Sequence, residues 1–203
     1  IDQLLVLSEK PSPTKADFEN IFNNLRALQK KAVAFFKPSI SVVVNSLSKK
    51  EFEHMKELTE ERFKKGDERL LDTEKFKAHA FENFEKNMGI LFDDTSDQQK
   101  KIYLSFIDAN YDFYKLQIDA RKDFMKKFEL LLDNKPELLD FTLKYYAGED
   151  STKTPDYIKK QNQFFDNAYQ LQLDIWNANN EKQKNEFRKT LNEIKQELLS
   201  IAK

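Results

Sequence analysis

The sequence predicts an all-α fold: an elongated, mostly antiparallel bundle of long amphipathic helices, forming a single domain over residues 1–203. Three observations predict it. First, four stretches place a hydroxyl or amide residue three positions before Asp, Glu or Gln, just ahead of an apolar stripe. They are Thr14 to Asp17, Ser48 to Glu51, Ser96 to Gln99 and Asn180 to Gln183. This is the capping box, in which the first side chain accepts from an orphan N–H and the second reaches back to the cap's own N–H. Second, three Gly and five Pro in 203 residues are too few for the turns of a sheet protein. Third, apolar residues behind the boxes recur at three- and four-residue steps.

Taken in order, Ile1 to Leu7 reads as the tail of an apolar element whose beginning lies upstream, so 1–13 stands apart from the helices. After Thr14, the residues Phe18, Ile21, Phe22, Leu25, Leu28, Ala32 and Phe35 mark a helix over 14–36. Pro38 ends it, because proline pushes the preceding residue out of the helical region. Ile40 to Leu47 is a short apolar piece leading to Ser48. A second helix spans 49–89, kinked near Gly66 or Asp72-Thr73, with Gly89 as its left-handed C-terminal residue.

From Ser96, the stripe Ile102, Phe106, Ala109, Phe113, Leu116, Ala120, Phe124, Phe128 and Leu131 runs without Gly or Pro. It predicts one helix over 96–132, roughly 55 Å long at 1.5 Å per residue. Pro136 opens a short helix over 136–147, and Gly148 to Thr154 is the longest polar loop. Pro155 suits the first turn of a helix over 155–178. The last helix covers 181–201, with Phe187, Leu191, Ile194, Leu198 and Ile201 on one face.

Composition narrows the function. A net charge of −1, from 34 basic and 35 acidic residues, argues against nucleic acid as a partner. No apolar run reaches the ~20 residues that span a bilayer. Cysteine is absent, which removes disulfides, thiol catalysis and thiolate metal ligands from these residues. The most metal-like motif is Glu51-Phe52-Glu53-His54, an E-x-x-H at helical spacing. A di-iron bundle needs two such motifs, and Phe76 stands three positions before the other histidine, His79. Neither histidine has a neighbouring serine nucleophile, and there is no phosphate-cradling glycine loop. The sequence therefore points to no catalytic residue, no metal and no cofactor. The aromatic residues Tyr103, Phe106, Tyr111, Phe113 and Tyr114 spread around more than one helix face. They read as core, or as a candidate apolar groove for a lipid, peptide or unfolded segment.

The repeated helix starts resemble the L-T-x-x-Q motifs of bacterial envelope proteins. The matches are Leu47-Ser48-Lys49-Lys50-Glu51, Thr95-Ser96-Asp97-Gln98-Gln99 and Asn179-Asn180-Glu181-Lys182-Gln183. The chain is similar to an uncharacterised family of Gram-negative lipoproteins carrying this repeat, including a Gly before the central motif, here Met88-Gly89. More distantly it resembles the small periplasmic chaperones CpxP and spheroplast protein Y, without their basic excess. Only the first match keeps the Leu, and there Glu replaces Gln. The resemblance implies a non-enzymatic lipoprotein of the periplasm or outer membrane that binds a protein partner or client. It also implies that membrane attachment comes only through a lipidated Cys upstream of Ile1. A structural or adaptor role without client binding, or a helical enzyme, are the alternatives.

Overall fold

Local chemistry decides where the helices of this protein start. In the computed structural model, which describes residues Ile1–Ile201, α1 spans Asp2–Glu9, α2 Lys15–Ser46, α3 Lys49–Leu71 and α4 Thr73–Phe92. Then follow α5 Asp97–Ala109, α6 Tyr111–Leu130, α7 Lys135–Tyr146, α8 Pro155–Ala178 and α9 Glu181–Ile201. A 3-10 turn at Asp150–Thr152 precedes α8, and there is no strand among the described residues. The fold is all-α, as expected.

Three of the predicted capping boxes close in both directions. The Glu51 N–H donates to Ser48 Oγ at 3.2 Å while the Ser48 N–H donates to Glu51 Oε2 at 2.8 Å. The Gln99 N–H donates to Ser96 Oγ at 3.2 Å, and the Ser96 N–H to Gln99 Oε1 at 2.7 Å. At α9 the pair is Gln183 N–H to Asn180 Oδ1 at 2.9 Å and Asn180 N–H to Gln183 Oε1 at 3.0 Å. At Thr14 only the return arm forms: its N–H and hydroxyl both donate to Asp17 Oδ2. A further cap was not read from the sequence. The Asn134 side chain accepts from the Glu137 N–H at 3.4 Å, so α7 starts ahead of Pro136.

Four predicted boundaries are corrected. Pro38 lies inside α2 rather than ending it. An interior proline costs roughly 3 kcal/mol, but continuing the helix buries Val44 and seats Ile40 and Leu47 on the core. Gly89 lies inside α4, which runs on to bury Phe92, and the left-handed residue is Asp93, with φ 75°. The kink expected over 49–89 is a break at Asp72, with φ −112° and ψ 96°. Gly66 stays helical, where α3 approaches α6 so closely that a Cβ would lie 3.1 Å from Ile118 Cδ1.

The single helix expected over 96–132 is two, α5 and α6, divided at the buried Asn110. Its Nδ2 donates to the Phe106 carbonyl at 2.7 Å and its Oδ1 accepts from Asn167 Nδ2 at 3.0 Å. An asparagine that bonds its own backbone competes with the helix ladder.

The chain packs as two compact units, each assembled from separated segments. The first takes Ile1–Phe22, Glu74–Asn110 and the chain from Phe164 on. Its core holds Leu7, Phe18, Met88, Phe92, Trp176, Phe187 and Leu191. Phe92 and Phe187 stack at 4.8 Å and 7°, with Trp176 edge-on to Phe187. The stretch read as the tail of an upstream element forms α1, which lies antiparallel on α9: Asp2 pairs with Lys195, and Arg188 donates to the Ser8 carbonyl.

The second unit takes Asn23–Thr73 and Tyr111–Gln163. Val44, Phe52, Phe128, Leu132 and Leu138 form its core, with Phe52 and Phe128 stacked at 5.7 Å and 8°. Here α3 and α6 run antiparallel, since Lys56 meets Glu129 while Asp67 meets Lys122.

Candidate functional site

Two polar constructions stand out, one in each unit. In the first unit the starts of α5 and α9 meet. Gln99 and Gln183, the third residues of their boxes, are 0% and 2% exposed. Each amide does two things. Its oxygen caps its own helix, and its Nε2 donates away from it: Gln99 to Asn179 Oδ1 at 2.6 Å, Gln183 to Asp94 Oδ1 at 2.8 Å. Gln183 Nε2 also lies 3.3 Å from Gln99 Oε1, joining the two boxes directly. Asn179 and Asp94 each lie in the connection leading into the opposite box. Buried polar atoms need partners, and this exchange supplies most of them, leaving Thr95 Oγ1 and Asn179 Nδ2 buried without one. Neutral amides with satisfied oxygens offer no nucleophile, acid or base. The junction is architectural.

The second unit holds a cleft of about 340 Å³ between α3 and α6. Phe63 and Met125, both half-buried, supply its apolar lining. Two ion pairs cross it. Lys56 Nζ lies 2.9 and 3.0 Å from the Glu129 carboxylate oxygens, and Lys122 Nζ lies 2.9 and 2.8 Å from those of Asp67. The hydrogen bonds to Glu129 and Asp67 hold both ammonium groups above the usual lysine range. The Thr59 hydroxyl is turned back to the Met55 carbonyl at 2.7 Å. An apolar lining under paired charges is the usual chemistry of a binding pocket, at the small end of its size range.

The five aromatic residues singled out from the sequence are divided between the two units. Tyr103 and Phe106 belong to the first unit, where Tyr103 stacks on Phe84 at 4.2 Å and Phe106 tilts against Phe164 at 5.4 Å. Burial pushes the Tyr103 hydroxyl up. The other three belong to the second unit. There the Tyr111 hydroxyl donates to the Leu70 carbonyl, Phe113 is buried against Tyr157, and Tyr114 is half-buried on α6.

The E-x-x-H residues also separate. Both the N–H and the hydroxyl of Ser48 occupy Glu51, while His54 is exposed near Glu57 at 3.9 Å. His79 sits in the other unit beside Glu82. No group of three or more His, Asp or Glu side chains converges among the described residues.

Sequence reasoning missed the cleft. Its one local signal is Gly66, an interior helix glycine that marks close approach of a neighbour rather than a kink. Compared with known proteins, the chain matches no family model, no curated protein and no solved structure.

Proposed function

We propose that this is a non-enzymatic binding protein of the bacterial envelope, holding a protein partner or client through the α3–α6 cleft. The observation that carries the binding role is the cleft itself: Phe63 and Met125 beneath the Lys56–Glu129 and Lys122–Asp67 pairs. An apolar side chain of a partner fits between the helices, and the paired charges can re-form around flanking polar groups of that partner. The envelope placement, with a lipid anchor upstream, is supported by the resemblance of the helix starts to L-T-x-x-Q motifs alone.

Two measurements test the reading. Suppression of aggregation of an unfolded test protein should be lost in Met125→Lys, provided the variant keeps its helical circular dichroism. Activity unchanged in that variant would remove the cleft from the mechanism. The reading frame upstream of Ile1 tests the placement: a signal sequence ending in a lipobox cysteine supports it, and a cytosolic start removes it.

A further inference from the structure

In the second unit, one arginine of α6 stands between two tyrosine contacts. Phe113 packs against Tyr157 at 5.5 Å, and Phe124 stacks on Tyr145 at 3.9 Å. Arg121 lies about two turns beyond Phe113 and one turn before Phe124, and the helical period puts it within roughly 80° of both. It is exposed. Tyr146 extends the row, edge-on to Tyr145 at 5.6 Å and 51% exposed.

The donors gathered here have no acceptor within the protein. Among the described residues Arg121 makes no ion pair or hydrogen bond, and the hydroxyls of Tyr145, Tyr146 and Tyr157 make no hydrogen bond. The α6 carboxylates on either side of Arg121 in sequence face lysines instead: Asp119 lies 3.7 Å from Lys122, and Asp123 lies 3.3 Å from Lys126. Its helical neighbours, Gln117, Ile118, Phe124 and Met125, include no carboxylate. Burial pushes the Tyr145 and Tyr157 hydroxyls up, and Arg121 is near enough for its charge to oppose that at each. One guanidinium and two phenols therefore share a locality, all of them able to donate.

That donor set selects among anions. A guanidinium fork saturates a carboxylate by itself, through two parallel N–H bonds. A phosphoryl group takes the same fork and keeps a further oxygen, for which a phenol O–H is a donor. A tyrosine ring also offers a flat apolar wall to the organic part of an ester. We propose that Arg121, with Tyr145 and Tyr157, binds a phosphoryl group, as free phosphate or as a phosphate ester lying on the Tyr146 ring. The site is independent of the α3–α6 cleft.

The test titrates the full chain with inorganic phosphate and with phenyl phosphate at constant ionic strength, following the Arg121 Nε–H resonance. Both should shift it saturably, and benzoate should bind about tenfold more weakly than phenyl phosphate. Tyr157→Phe keeps the ring on Phe113 and removes one donor. It should weaken phenyl phosphate by about tenfold and leave benzoate unchanged. Arg121→Gln should abolish binding measured by calorimetry, with the melting temperature unmoved. Tighter binding of phenyl phosphate than of inorganic phosphate assigns the ester, and the reverse or equality assigns free phosphate. No saturable shift with either, or binding that survives Arg121→Gln, would overturn the proposal. So would benzoate binding as tightly as phenyl phosphate, which would make this a carboxylate site.

Discussion

Each unit brings two helix starts together, and the two do so with different chemistry. In the first, Gln99 and Gln183 are buried, and each amide caps its own helix while donating to the opposite segment. In the second, the starts of α3 and α7 carry Glu51 and Glu137, both exposed. An ionised carboxylate only accepts, so it can close its own box but cannot donate across. Lysines make the crossing instead: Lys135 Nζ donates to the Leu47 carbonyl at 2.6 Å, and Lys49 pairs with Asp133 at 2.8 Å. The contrast shows why a capping box can take Glu at the surface but needs Gln in a core. Buried, the residue must be uncharged and must both give and accept.

The largest expected effect tests the packing of the second unit. Phe113→Ala, at a position 4% exposed, should cost about 3–5 kcal/mol in urea unfolding. A loss below about 1 kcal/mol would mean that the core does not depend on this ring. Next comes the junction contrast itself. Gln99→Glu places a charge at a fully buried site and turns the donor facing Asn179 Oδ1 into an acceptor, so about 3 kcal/mol should be lost. The mirror change, Glu51→Gln on the exposed box, should leave the melting temperature almost unmoved. If the two changes have equal effects, burial does not separate the junctions.

Acid gives the smallest effect and the sharpest contrast. The Ser48 hydroxyl and N–H bonds hold the Glu51 carboxyl below its ordinary value of 4.5. Its contribution is therefore fully present above pH 4.5 and is lost as pH falls through the lower folded value. The α5 box has no carboxyl at the equivalent position. In acid, amide exchange at Phe52, whose N–H bonds the Ser48 carbonyl, should accelerate relative to Lys100 at the α5 start. Equal acceleration at both would show that acid acts elsewhere.

What the sequence made legible follows the range of the forces involved. A capping box is complete within four residues, so Ser48, Ser96 and Asn180 could be located without any tertiary knowledge. Helix interruptions are decided at longer range. Pro38 fails to stop α2 because Val44 and Leu47 are wanted in a core beyond it, and Asn110 stops a clean apolar stripe because Asn167 lies opposite. Periodicity also cannot say which unit a residue joins, so the aromatic set read as one groove is divided between two. The cleft was illegible for the same reason: Phe63 and Met125 meet only because α3 and α6 run antiparallel.

The docking of α1 on α9 has a consequence during synthesis. Ser8 and its partner Arg188 are 180 residues apart. At roughly 5–20 residues per second, α1 waits on the order of 10–40 s for the strand of chain that covers it. Every segment of the second unit has left the ribosome before α9 does. That unit can close while the first is still open, and the apolar face around Leu7 is the one the nascent chain must keep from other partners longest.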